Sequence, residues 1–165
     1  MAKIPEGFST VTPTLVVNGA AKAIEQYKKA FGATETYRLN CADSGKIMHA
    51  CIQVGTSKIF LCDTHPEMCA APTQSNFYLY FKDVDATFKQ AKQAGMQESS
   101  PVQDMFWGDR YALATDPSGT PWGIATHIED VPPEAMKERM MKQMAEMGAE
   151  GEAAPPTEAT PPPQP

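Results

Sequence analysis

The chain has 165 residues, a formal net charge of −6 and 42% hydrophobic residues. That is enough apolar material for one domain of ordinary size, or for two small modules sharing a core. The acidic balance argues against a nucleic-acid partner, which requires a concentrated basic face. No apolar run reaches the roughly 20 residues needed to span a bilayer. The opening MAKIPEGFST carries no secretion-signal core, so the expectation is a cytoplasmic protein with no membrane partner. Cys41, Cys51, Cys62 and Cys69 form no CxxC pair and no zinc-type spacing, which predicts reduced thiols.

Val11 to Val17 reads as a short strand ended by Asn18-Gly19. Ala20, Ile24, Tyr27 and Phe31 then recur at helical spacing, with Gly32 placed to end the helix. Thr34 to Leu39 is a candidate strand, and Asn40 to Gly45 is polar turn material. From Lys46 to Val54, Met48, Ala50, Ile52 and Val54 alternate with His49, Cys51 and Gln53. Gly55-Thr56 turns the chain, and Lys58 to Asp63 returns as a further strand. Thr64 to Ser75 is irregular, and His65 within it reads as a solvated loop residue.

The pattern then repeats. Asn76 to Phe81 is a strand and Asp83 a helix N-cap. Val84, Phe88 and Ala91 make an apolar stripe ended by Gly95. Gln97 to Val102 is a short strand. The stretch Asp104 to His127 is a hairpin broken at Asp116-Pro117-Ser118-Gly119. Thr14, Leu15, Val17 and Ile24 correspond to Tyr78, Leu79, Phe81 and Phe88 at a constant offset of 64 (78 − 14). One βαβββ unit is used twice. After it, Pro132-Pro133 opens a helix with Met136, Met140, Met144 and Met147 on one face. This helix is expected to pack on its own domain or on a second subunit, or to offer an adaptable recognition surface. The ending APPTEATPPPQP reads as a disordered tail.

Several residues carry candidate chemistry. His49 carries an imidazole, a side chain that can serve as a base or ligand donor, although a hydrogen-bonded pocket residue explains it as well. Cys51 on the same face is a small buried hydrophobe or a nucleophile. Phe106 and Trp107 are placed to clamp a planar ligand, with Arg110 to bind its carboxylate or phosphate. The alternative pairs Asp109 and Arg110 with protein groups and uses the aromatics to close an interface. Tyr78 and Tyr80 alternate in phase on one strand, facing a pocket or filling the sheet. Trp122, of opposite parity to Gly123, is assigned to the core under the second helix. GxGxxG, GxxxxGK[ST], GxSxG and HExxH are all absent, so nucleotide binding, serine hydrolysis and zincin chemistry have no foothold.

The two units, the first opening TPTLVVNGAAKAIEQYKKAFGA and the second closing DPSGTPWGIATH, resemble the vicinal oxygen chelate superfamily. That superfamily groups glyoxalase I, the bleomycin and fosfomycin resistance proteins and extradiol dioxygenases. GKIMHACIQVG and DMFWGDRYALATDPSGTPWGIATHIEDV are more specifically similar to its PhnB-like branch. The resemblance implies an α+β fold of paired βαβββ modules forming a concave sheet cleft, plus a C-terminal helix. The family domain spans residues 8–131, with module one at about 8–63 and module two at about 76–131. The Met-rich helix (132–148) and the Pro-rich tail (149–165) lie outside it.

The resemblance implies a homodimer whose cleft binds a small organic molecule. Ile52, Val54, Leu79 and Phe81 would back onto the helices, while His49, Cys51, Tyr78 and Tyr80 face the cleft. Metal-dependent relatives take His or Gln and Glu ligands from four strand positions, which fall near Thr12, Phe60, Asn76 and Gly123. None of these is a good ligand for a divalent transition metal. The resulting expectation is metal-free binding or sequestration of the bleomycin-resistance kind. Its contact residues would be His49, Cys51, Phe60, Asn76, Tyr78, Tyr80, Phe106, Trp107 and Arg110. The alternative is a glyoxalase- or dioxygenase-type enzyme with a shifted divalent metal site drawing on His49 and His127, with Cys51 and Cys62 on bordering strands.

Overall fold

The structure, a computed structural model, describes residues 4–66 and 71–151, with side chains described as far as residue 145. Module one runs β1 (Thr14–Val17), α1 (Ala20–Phe31), β2 (Thr34–Asn40), β3 (Ile47–Val54) and β4 (Ser57–Asp63). Module two repeats it as β5 (Phe77–Tyr80), α2 (Val84–Gln93), β6 (Gln97–Asp104), β7 (Asp109–Thr115) and β8 (Pro121–His127). Each forms a separate four-stranded sheet, ordered β1-β4-β3-β2 and β5-β8-β7-β6. The first strand pairs parallel with the fourth, and the other pairs are antiparallel. The fold is therefore the α+β pair of βαβββ modules expected from the duplicated pattern.

Local chemistry accounts for the element ends. Gly32 closes α1 in the left-handed conformation (φ 65°). Asp83 caps α2, its carboxylate accepting from the Ala86 N–H at 2.9 Å. The N-terminus of α1 has no such local cap. Asp63, at the end of β4, reaches it instead and accepts from Gly19 N (2.9 Å) and Ala20 N (2.8 Å). β6 runs on to Asp104 because its register shifts either side of Ser100 absorb Pro101 at the sheet edge.

One core runs through both modules. The two helices pack on each other. Gln26 donates to the Ala94 carbonyl at 3.1 Å, and Gln90 donates to the Lys29 carbonyl. Trp122 is fully buried, and its ring reaches α1. Its ring lies 4.9 Å from Tyr27, 5.1 Å from Phe31 and 4.6 Å from Phe77. The strand that carries it, β8, contacts α2, so Trp122 links the second module's layer to α1 across the module boundary. Asp116, in the β7–β8 turn, anchors this crossing. One carboxylate oxygen accepts from Ser118 N and Thr120 N, and the other from Tyr27 Oη (2.6 Å) and Trp122 Nε1 (3.1 Å).

Helix α3 (Pro133–Gly151) follows module two and is tied back by a bidentate pair, Arg139 to Glu129 at 2.7 and 2.8 Å. Met136 is half-buried, whereas Met140 and Met144 are exposed, so that part of the stripe does not pack on its own domain. The side chain of Met147, the tail from residue 152 on and Cys69 lie outside the described residues. Among the described residues no helix is long and apolar enough to cross a membrane.

Because Trp122 serves both modules, Trp122→Ala should cost about 3–5 kcal/mol of unfolding free energy. Tyr27→Phe should cost about 1–3 kcal/mol, since it leaves the buried Asp116 carboxylate one donor short. Chemical denaturation followed by circular dichroism should show one cooperative transition for both variants, as for the parent chain.

Candidate functional site

The pleat decides which side chains face away from the helices. On β7, Ala112 and Ala114 are fully buried toward the helix layer, so Arg110 shares their side. Its guanidinium is engaged there by Asp85 of α2 at 2.8 and 3.0 Å and by Asp104 at 2.8 Å. This overturns Arg110 as a ligand contact: strand parity turns it from the open face, and two carboxylates hold it. Asp109 and Tyr111 take the open face instead.

Asp109 is 3% exposed and gathers the module-two wall. One of its carboxylate oxygens accepts from Tyr78 Oη (2.8 Å), Tyr80 Oη (3.0 Å) and Trp107 Nε1 (3.1 Å). The other lies 2.8 Å from His127 Nδ1, and His127 Nε2 lies 2.9 Å from Asp130. Burial works to raise the Asp109 pKa, but the hydrogen bonds from His127, Tyr78, Tyr80 and Trp107 outweigh it. The carboxyl is thus held below the usual carboxylate range and stays ionised. Tyr78 and Tyr80 are pushed upward by desolvation and by their bonds to Asp109, so both keep their protons. His127 is raised by its hydrogen bonds to Asp109 and Asp130.

The rings form a continuous wall. Tyr78 stacks on Tyr111 with centroids 5.3 Å apart and sits 5.2 Å from Tyr80. Trp107 meets Tyr111 at 6.0 Å, and Phe106 meets Trp107 edge-on at 4.9 Å. Two small residues make the room. Gly123 pairs with Tyr78 and Ala125 with Tyr80. A Cβ on Gly123 would come within 2.8 Å of the Tyr111 ring. Gly108 serves the approach from below (φ 95°): a Cβ there would run into the Glu129 carbonyl oxygen. Its own carbonyl accepts from Ile128 N and Glu129 N, which folds the end of β8 onto the Asp109 turn.

Module one carries a second, different cluster. His49 lies 4.7 Å from Phe60 and 6.1 Å from Tyr37, and Phe8 lies 5.6 Å from Phe60. Cys51 is buried (3% exposed), with its thiol 3.9 Å from the Ile52 carbonyl. Asn76 is exposed just ahead of β5. His65 is half-buried beyond β4. The expected contacts are therefore divided between two sheets: His49, Cys51 and Phe60 on one, Tyr78, Tyr80, Phe106 and Trp107 around the other.

The modules match position by position. Thr14 pairs with Phe60 as Tyr78 pairs with Gly123, and Cys51 pairs with Phe60 as Leu113 pairs with Gly123. His49 and Tyr111, each two residues earlier, are equivalent. One leans on a phenyl ring and the other covers a bare glycine.

The side chains at the family metal positions are otherwise engaged, exposed or without a donor. Thr12 Oγ1 donates to the Ser9 carbonyl at 3.4 Å, Phe60 has no donor atom, Asn76 is exposed, and Tyr111 fills the space over Gly123. This set does not fit a divalent metal. His127, invoked for a shifted site, lies between Asp109 and Asp130, while His49 belongs to the other sheet's ring cluster. Among the described residues no group of three His, Cys, Asp or Glu is assembled for a metal.

Asp109, Tyr111 and the paired role of His127 are the residues that sequence reasoning undervalued. A signal was available: Ala112 and Ala114 are the small residues that fit under a helix, so their odd-numbered neighbours must face away from it.

Two sheets of duplicated βαβββ topology, each with rings on its helix-free face, define a class of two-module folds. The chain belongs to the Glyoxalase/Bleomycin resistance protein/Dioxygenase superfamily, whose family description matches residues 9–124. An uncharacterized protein of Mycobacterium bovis is 33% identical over 142 residues, covering 81% of this chain and 93% of its own. The crystal structure of TioX from Micromonospora sp. ML1 superposes with a TM-score of 0.62 at 27% identity, over 73% of this chain and 99% of that one. A PhnB protein from Bacillus cereus shares the fold with a TM-score of 0.58 at 15% identity, over 72% and 99%.

The His127–Asp109 contact predicts a pH signature. A raised histidine pKa adds stability that is fully present below the unfolded value, about 6.5, and is lost as pH rises through the folded value. The Tm difference between the parent chain and His127→Gln should therefore be widest near pH 6 and narrow steadily toward pH 9 in a calorimetric series.

Proposed function

We propose that this protein binds a small aromatic organic molecule in the cleft bounded by its open sheet faces, without the family metal and without covalent chemistry. One observation carries the reading: the Tyr111 ring lies where metal-dependent relatives place a carboxylate, and Gly123 is the residue that admits it. Replacing a charged ligand position by stacked rings exchanges a metal-binding face for an apolar, planar one. Phe60 in module one supports the same exchange, since its phenyl ring stands at the equivalent place against His49.

The working unit in this reading is a homodimer. Tyr37 and Leu39 of β2 and Tyr78 and Tyr80 of β5 are large and exposed on the open faces, a pattern of surface awaiting either a ligand or a second subunit.

Metal analysis and thermal shift test the proposal together. Protein purified without chelator should carry only substoichiometric metal, and chelator should leave its Tm unchanged. An aromatic ligand at about 100 times its Kd should add about 2.7 kcal/mol of stability. Trp107→Ala should weaken that ligand about tenfold. Stoichiometric zinc, nickel, manganese or iron, lost on His49→Ala, would overturn the proposal in favour of a shifted metal site.

A further inference from the structure

We propose that the module-two wall selects a cationic ligand, an amine or quaternary ammonium carried on an apolar or aromatic body, and discriminates against anions. The inference rests on the reading of the cleft as a binding site and names the charge of what binds there.

The donors on this wall are already directed inward. A tyrosine hydroxyl has one proton and two lone pairs, and an indole has one N–H and no acceptor. Tyr78, Tyr80 and Trp107 all direct their protons at one oxygen of Asp109, at 2.8, 3.0 and 3.1 Å. Tyr78 Oη also accepts from Trp107 Nε1 at 3.3 Å, so toward the cleft the wall presents ring faces and the remaining hydroxyl lone pairs. An anion arriving there meets acceptors.

The charges point the same way. Asp109 is a buried carboxylate behind the rings, and Asp130 is a second one two bonds further along the chain Asp109–His127–Asp130. One imidazolium between two carboxylates leaves the group negative. Arg110, adjacent in sequence, is on the other side of β7 and already bridged by Asp85 and Asp104. The Arg139 guanidinium is likewise engaged by Glu129.

The rings complete the geometry for a cation. Aromatic faces carry negative electrostatic potential, and cations bind them most strongly where several rings share one site. Tyr78 and Tyr80 are 44% and 63% exposed, with Tyr111 and Trp107 packed behind and beside them. A phenol donating its proton to a carboxylate gains electron density in its ring, which strengthens this attraction.

The test uses one skeleton with three charges: 3-phenylpropylamine, 3-phenylpropan-1-ol and 3-phenylpropanoate. Each is titrated into the full-length protein at pH 7 while the Trp107 indole N–H resonance is followed by NMR. The amine should bind about tenfold more tightly than the alcohol, and the carboxylate more weakly than either. Tyr80→Leu, at an exposed position, should reduce the amine's advantage over the alcohol to about threefold or less. Asp109→Asn should do the same if it folds, and Tyr80→Leu decides the matter if it does not. Binding of all three probes with equal affinity would overturn the cation preference while leaving the cleft reading intact. Binding of none of them would overturn both.

Discussion

The buried carboxylate of Asp116 holds this molecule together. An ionisable group in an interior is tolerated only when hydrogen bonds replace its water, and Asp116 receives four donors from three directions. Two come from its own turn and shape it. The other two, from Tyr27 and Trp122, join the helix of one module to the sheet of the other. The stack of Phe77, Trp122, Tyr27 and Phe31 depends on that node for its placement, and the single core depends on the stack. No buried side-chain nitrogen or oxygen among the described residues is left without a partner.

The same hairpin repeats this chemistry at its other end and aims it outward. Asp109 opens β7 as Asp116 follows its close, and each gathers tyrosine and tryptophan donors. Around Asp116 the rings are buried and serve cohesion. Around Asp109 they remain open on one side. An inward-facing hydrogen-bond network fixes the tyrosine rotamers, so the wall is organised before any ligand arrives. In the reading proposed above, rigid rings, lone pairs and a retained negative charge are what a binding wall would use.

Duplication has left two sheets with one plan and different surfaces. His49 on Phe60 and Tyr111 over Gly123 are the same contact in two chemistries. In module two a glycine leaves room for the Tyr111 ring against the strand. In module one a phenyl ring packs against a half-buried imidazole instead.

Much of the architecture was legible in the residues alone. Alternation, helical spacing and turn chemistry are short-range consequences of backbone geometry, so the βαβββ repeat, Gly32, Asp83 and the DPSG turn all read correctly. The family resemblance also followed from local strings. Contacts across the chain were not legible, because nothing in a one-dimensional pattern says which helix a buried tryptophan will meet or which carboxylate will find an arginine. The contact of Trp122 with α1 was decided by the packing of two modules against each other, and Asp63 capping α1 from β4 and Arg110 turned to Asp85 by the folding of each module. The candidate site has the same division. Its aromatic content was determined by the sequence, whereas its centre, Asp109, became one only when the pleat brought Tyr78, Tyr80, Trp107 and His127 to a single carboxylate.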